Sequence, residues 1–357
     1  MGENYLMNET IDRKIIVSWF YSEIISESGV YAQMRGKSHE FTFQQIYINC
    51  LITFFFSARA ANKDAKLILY TNDRKFLFKN LLTERQIELL AEFNVEVVSV
   101  TFSFLPPDKQ RHWRNQFFLF DIIKHLSEIG YGSSDLIVIS DSDVIWSGSP
   151  KTSDFWNQLS EIGYLIYTPI EDLNENINGY SQISLREYAK SIGINNFENL
   201  QYAGGELIAL RGDLLVNLVE NLIEIWNFYL MRVKHDNFFE EAHLLSLLYT
   251  RLEFNFGNGN SFIKRLWTQI LHFQNTSKRD LEYVLWHLPA EKRYGLRRLA
   301  KNILNRKLLF FPAYHSKKWH YVLSTLGLPK NSHKKILLDF SYAITNRIKE
   351  YYIRFKA

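Results

Sequence analysis

A chain of 357 residues that is 46% hydrophobic and 15% aromatic can bury a sizeable core in one large domain or two ordinary ones, which excludes an intrinsically disordered protein. Its 42 basic and 38 acidic residues leave a formal charge of +4, too balanced to mark a nucleic-acid binder yet compatible with anionic substrates. The single cysteine, Cys50, excludes an internal disulfide framework and a cysteine-based zinc cluster, and within INCLITFF it reads as core.

The N-terminal stretch MGENYLMNETIDRKIIVSWF has no apolar run of signal-peptide length behind a basic start. The most apolar windows, such as CLITFFF, are far shorter than the roughly 20 residues that span a bilayer. The expectation is a cytoplasmic protein in a reducing compartment. RKIIVSWF then reads as a strand, FTFQQIYINCLITFFFSARAA as a helix and AKLILYTND as a strand ending in turn residues. LTERQIELLAEF is helical, VEVVSVTF a strand, and WRNQFFLFDIIKHLSEIG a helix closed by Gly130. LIVIS, GYLIYTPI and ELIAL follow as strands, and DLLVNLVENLIEIWNFYLMRV as a helix. This alternation predicts an α/β sheet of apolar strands covered by helices on both faces.

After about residue 254 the pattern loosens into FNFGNGNS, a strand-like KRLWTQILHF and a basic tract from Lys292 to Lys307. The division expected is a main α/β domain over 13–295 and a basic helical extension over 296–357. The last segment, SYAITNRIKEYYIRFKA, mixes aromatics with Arg347, Lys349, Arg354 and Lys356 on one helix. It reads either as a solvated terminal helix or as one lying on the inner face of a membrane.

The most informative stretch is LIVISDSDVIW, residues 136–146. Ligands in open α/β sheets bind beyond the carboxyl ends of the strands, and residues two apart on an extended chain point the same way. Asp141 and Asp143 are therefore expected to face one site while Ser142 points elsewhere. Two carboxylates so close repel and resist dehydration, a conflict that a divalent cation resolves. Hard oxygen donors suit Mg2+ or Mn2+, and a cation with few protein ligands keeps positions open for phosphates.

With these residues in place, VISDSDVIW resembles the Asp-x-Asp motif of the metal-dependent nucleotide-sugar glycosyltransferases with the GT-A fold. That resemblance implies a GT-A-like fold, a nucleotide-sugar donor (a UDP-sugar first among them), a glycan or glycolipid acceptor, and Mn2+ or Mg2+ held by Asp141 and Asp143. QYAGGELIALRGDLL resembles the family's Asn-Ala-Gly segment, where small residues let the donor lie against the backbone. Ala203, Gly204 and Gly205 match, while Tyr202 replaces the Asn. In HDNFFEEAHLLSLLY the resemblance gives Glu241 or Glu240 the place of a general base beside the acceptor; the same acids also suit a helix N-terminus. In LEYVLWHLPAEKRYGLRR it makes His287 a further metal ligand and Lys292 a diphosphate contact. His272 with Lys278, and His315, are competing choices.

The end of the first strand is where this fold holds the nucleotide base, which points to Ser18, Phe20 and Tyr21, with Asn72 and Asp73 of TND near the base or ribose. Arg114 and Ser142 complete the expected donor contacts. Two other readings stay open. One is a haloacid-dehalogenase-like Mg2+-dependent phosphatase, which also uses Asp-x-Asp after an apolar strand; here Ile145 departs from its pattern, and Asp213 is offered as a later acid but Asn217 stands where a second is wanted. The other is a nucleotide-sugar binding module without chemistry, against which the retained acidic pair argues.

Overall fold

The computed structural model describes residues 13–29, 31, 36–107, 114–170, 172–232, 239–252, 256–269, 273–309 and 311–356. The first four strands, β1 (Arg13–Phe20), β2 (Lys66–Thr71), β3 (Val95–Ser99) and β4 (Asp135–Ser140), are separated by the helices Phe41–Ala61, Glu84–Glu92 and Phe118–Ile129. Such helical crossovers return each strand parallel to its neighbour, and β1 pairs with β2 and β4, and β2 with β3, in that sense. Downstream come β5 (Val144–Trp146), β6 (Tyr164–Ile166), β7 (Leu207–Arg211), β8 (Gly257–Asn258), β9 (Ile263–Arg265), β10 (Thr268–Gln269), β11 (Phe273–Gln274) and β12 (Leu285–His287). The main sheet has the order β3-β2-β1-β4-β7-β6-β8, with β7 antiparallel to both β4 and β6.

Because side chains on a strand alternate in direction, the apolar runs supply both faces of the sheet at once. Ile16, Leu67, Leu69, Leu136 and Val138 pack into one core with the Phe41–Ala61 helix; Ile15, Val17, Ile68, Ile137 and Ile139 pack into the other with the Phe118–Ile129 and Leu215–Arg232 helices. The expected class, a mainly parallel α/β sheet covered by helices, is the one observed. Gly130 ends its helix as expected, at φ 78° in the left-handed region that glycine enters without strain.

The Phe41–Ala61 helix departs from the sequence reading. Its window has a mean hydropathy of 1.2, long and apolar enough to cross a membrane by length and composition, although 67% of that window is buried inside this fold. The C-terminal helices Gly295–Leu304 and Lys317–Leu326 pack into the same core through Leu296, Leu299, Ile303, Trp319 and Val322. A 24-residue helix, His333–Lys356, follows.

A second sheet, β5-β12-β9, was not expected from sequence. Its strands are three residues each, too short to show a period. β12 is antiparallel to β5 and parallel to β9, which sets His287 opposite Val144 on one side and opposite Arg265 on the other.

Candidate active site

Strand β4 stops at Ser140, and Asp141 to Asp143 form a turn in which the Val144 N–H donates to the Asp141 carbonyl at 3.2 Å. The strand alternation behind the expectation that Ser142 points elsewhere does not extend through this turn, and Asp141, Ser142 and Asp143 all line one cleft. The β5–β12 register then closes the site, with the Leu288 N–H donating to the Asp143 carbonyl at 3.0 Å.

His287 Nε2 lies 3.1 Å from Asp143 Oδ2 and 4.0 Å from Asp141 Oδ2. Lys292 Nζ lies 3.0 Å from the same Asp143 oxygen and 5.5 Å from the centre of the Tyr47 ring. Ligand atoms of Asp141, Asp143 and His287 fall within 4.8 Å of one another, the one such grouping among the described residues. Two carboxylate oxygens and an imidazole nitrogen form a donor set that fits a divalent cation. Burial alone would raise Asp143, but the Lys292 ammonium and His287 outweigh it and hold its carboxyl well below the usual range. Burial, with Asp143 beside it, pushes Asp141 up to about 7. Burial disfavours the charged form of His287, yet Asp143 and Glu206 prevail and raise it to about 9.

Glu206 was not singled out from sequence. It precedes β7, whose antiparallel register with β4 pairs Leu207 with Ser140 and so brings Glu206 alongside Asp141. Its carboxylate accepts from Arg265 Nε at 2.8 Å and Nη2 at 3.0 Å, and its Oε1 lies 3.2 Å from His287 Nδ1. Burial works to raise it, but the Arg265 guanidinium and His287 hold it at about 2. The available signal was a lone acid opening an apolar strand in AGGELIAL.

From the carboxylates the cleft, with a cavity volume of about 80 Å³, runs to an aromatic end formed by Trp19, Phe20, Tyr21, Tyr31, Phe43 and Tyr47. At that end Glu23 accepts from Tyr31 Oη and Ser38 Oγ, and burial pushes it up to about 7. Phe20 and Tyr21 line this end of the cleft, whereas Ser18 is fully buried in β1 with no partner for its hydroxyl among the described residues. Asn72 is spent on the backbone of Ser22, accepting at 2.7 Å and donating at 3.1 Å, and Asp73 caps the following helical turn by accepting from the Phe76 N–H. Arg114 opens the turn Arg114–Phe117, its charge acting on Tyr21 and Glu23 while Asn115 and Gln116 line the cleft.

The two adjacent glutamates separate. Glu240 accepts from Tyr202 Oη at 2.7 Å and from the Asn178 amide, which occupies it in structural bonding. Glu241 lies against Gly205, where a Cβ would stand 2.8 Å from its Oε1. The Gln116 amide, oriented with its nitrogen toward Glu241, donates to that carboxylate. Burial, then Glu240 and Asp141, raise the Glu241 carboxyl well above its ordinary range. Gly204 is equally confined, since a Cβ there would meet Glu206 Oε2 at 2.4 Å. Ala203 donates its N–H to Ser246 Oγ at 2.9 Å and lines a neighbouring polar cleft with Gln182, Arg186 and Asn199.

Of the competing histidines, His315 meets Trp319 edge to face and does not join the carboxylates. His272 lies outside the described residues, and Lys278 is exposed on the short helix Lys278–Glu282. Asp213, needed by the phosphatase reading, pairs with Arg211 at 2.7 Å just beyond β7. Since β7 runs against β4, with Arg211 opposite Leu136, Asp213 is at the sheet edge remote from Asp141.

No family model matches the chain, and no curated protein matches it. Among solved structures it is similar to the galactosyltransferase LgtC in complex with donor and acceptor sugar analogs, at 14% identity and a TM-score of 0.46, covering 87% of this chain and 100% of that one. An active-site mutant of LgtC is similar at 13% identity, with the same coverage and score. At that identity and score the likeness carries no chemistry, which rests on the residues of the site.

Proposed function

We propose that the chain is a metal-dependent glycosyltransferase of the hexosyl-transferring kind with a GT-A-like fold. It moves a sugar from a nucleotide-sugar donor, a UDP-sugar first among the candidates, to a glycan or glycolipid acceptor in polysaccharide biosynthesis. The observation that carries this reading is the meeting of Asp141, Asp143 and His287 beside Lys292 at one end of a cleft whose other end is aromatic. Asp141, Asp143 and His287 would hold Mn2+ or Mg2+, which when bound supplies positive charge to the departing diphosphate. Lys292 adds a second cation on the same side, and the rings of Trp19, Tyr21 and Tyr47 offer surfaces to a nucleobase.

Glu241 is the acid placed to meet an acceptor hydroxyl. Burial and the neighbouring Glu240 and Asp141 carboxylates raise it, so a cation beside Asp141 would bring Glu241 toward its basic form. The C-terminal helix supports the membrane part of the reading. Leu337, Phe340, Ile344 and Ile348 recur at three- and four-residue spacing and are 42–68% exposed, on a helix that also exposes Lys334 and Arg347. An apolar stripe among cations suits an anionic bilayer surface at the cytoplasmic face.

A thermal-shift screen of UDP-, GDP- and CMP-sugars with and without Mn2+ tests the class and the donor nucleotide together. Turnover of a nucleotide sugar in Asp143→Ala equal to that of the wild type would sink the proposal. Metal-dependent nucleotide-sugar binding with no transfer to any acceptor would favour a binding module instead.

A further inference from the structure

His287 is held from both sides of its ring. Nε2 faces Asp143 at 3.1 Å and Asp141 at 4.0 Å, while Nδ1 faces Glu206 Oε1 at 3.2 Å. The three carboxylates come from the ends of β4 and β7, and the imidazole from the small sheet, where Arg265 occupies the neighbouring row of β9.

An imidazole ligates a cation through one nitrogen only when that nitrogen has no proton, and the proton then resides on the other. An acceptor at Nδ1 therefore selects the tautomer whose Nε2 lone pair faces Asp141 and Asp143. A glutamate on a freely rotating side chain would follow the ring and select little. Here Glu206, 2% exposed, is gripped by two parallel bonds from the Arg265 guanidinium, at 2.8 and 3.0 Å, which fix the plane of its carboxylate. Arg265 is itself fixed, its backbone N–H donating to Tyr167 Oη at 2.9 Å. Behind the carboxylate, the close approach of Gly204 leaves no space for a larger side chain.

We infer that Glu206 and Arg265 are a buried positioning pair that sets the tautomer and ring plane of His287 for a divalent cation held with Asp141 and Asp143. Neither residue touches the reacting atoms. The inference rests on the cation reading of the proposed function, so its test must separate the two.

The experiment is Mn2+ binding to the full chain without nucleotide sugar, followed by electron paramagnetic resonance of the free ion, with folding checked by circular dichroism. Glu206→Ala should bind Mn2+ about 10–100-fold more weakly, the range expected for a lost partner of a ligating histidine. Because that change strands the Arg265 charge, the double variant Glu206→Ala/Arg265→Met is measured beside it and should show the same loss. Glu206→Gln keeps an acceptor oxygen and should recover most of the affinity, whereas Arg265→Lys, which keeps the charge without the fork, should retain only part of it. Nitrogen-15 NMR with Mg2+ gives a readout that a merely structural role would not move: His287 as a single Nδ1–H tautomer in the wild type, and a mixture once Glu206 is removed. Folded Glu206→Ala and double variants that bind Mn2+ within twofold of wild type, with the tautomer unchanged, overturn the inference. If Asp143→Ala abolishes binding while Glu206→Ala does not, only this inference falls; a wild type that binds no Mn2+ removes the cation reading and this one with it.

Discussion

Lys292→Met removes one cation from a site that also has to accommodate a metal, and the two effects have opposite signs. Lys292 Nζ is 3.0 Å from Asp143 Oδ2, and Asp143 is 1% exposed. At an effective dielectric of about 20 the direct attraction is about 5 kcal/mol. His287, at 3.1 Å, continues to balance part of the Asp143 charge in the variant. Methionine keeps most of the side-chain volume but not the cation over the Tyr47 ring, so the loss should fall within the about 3–5 kcal/mol typical of a buried pair broken on one side. For a chain of 357 residues that is a fall of about 4–7 °C in melting temperature, measured in EDTA. Saturating Mn2+ restores positive charge beside Asp143, so the metal should raise the melting temperature of the variant by more than it raises that of the wild type. Turnover should nonetheless fall on the order of 10²-fold, because the diphosphate loses a preorganised cation that the metal does not replace. Scanning calorimetry with and without Mn2+ decides the matter. A variant melting within about 1 °C of wild type in EDTA, or responding no more strongly to Mn2+, would refute the reasoning.

The two adjacent glutamates should respond differently to the same change. Glu241→Gln is expected to abolish most turnover with a melting shift under about 2 °C, while Glu240→Gln, which disturbs the bonds to Tyr202 and Asn178, should lower stability by about 1–2 kcal/mol and leave the chemistry measurable; the reverse pattern in steady-state assays would reassign the base. Glu23 gives a pH signature. Its folded value of about 7 exceeds the ordinary glutamate value of 4.5, so the folded state keeps a proton that the unfolded chain releases. The stabilisation is complete below about 4.5 and is lost as pH rises through about 7, on the order of 3 kcal/mol in all. Urea midpoints at pH 5 and pH 8 should therefore converge in Glu23→Gln, and an undiminished difference there would count against the burial account. Leu337→Glu/Phe340→Glu should reduce cosedimentation with anionic vesicles at least tenfold while leaving the melting temperature within about 2 °C, since both side chains are exposed; equal sedimentation would remove the membrane-facing role.

What could be read from the sequence was whatever repeats locally. The strands β1, β2 and β4 announce themselves because both of their faces are buried, so their apolar runs are unbroken. Asp141 and Asp143 were legible for the same reason: an apolar strand that ends abruptly in acids needs an explanation. The preference for His287 over His272 and His315 rests on the order of His and Lys in the resembled family and on no local period. What selects His287 for the carboxylates is register, since β12 lies against β5 with His287 opposite Val144, one residue past Asp143. Register between three-residue strands depends on side chains more than a hundred positions apart and leaves no period behind. The same holds for Glu206, whose partners Arg265 and His287 follow it by 59 and 81 residues. A buried acid in an apolar run is costly unless it is paired. An acid such as Glu206 therefore implies a distant cation even where sequence gives no hint which one, and here the small sheet supplies it by aligning Arg265 beside His287.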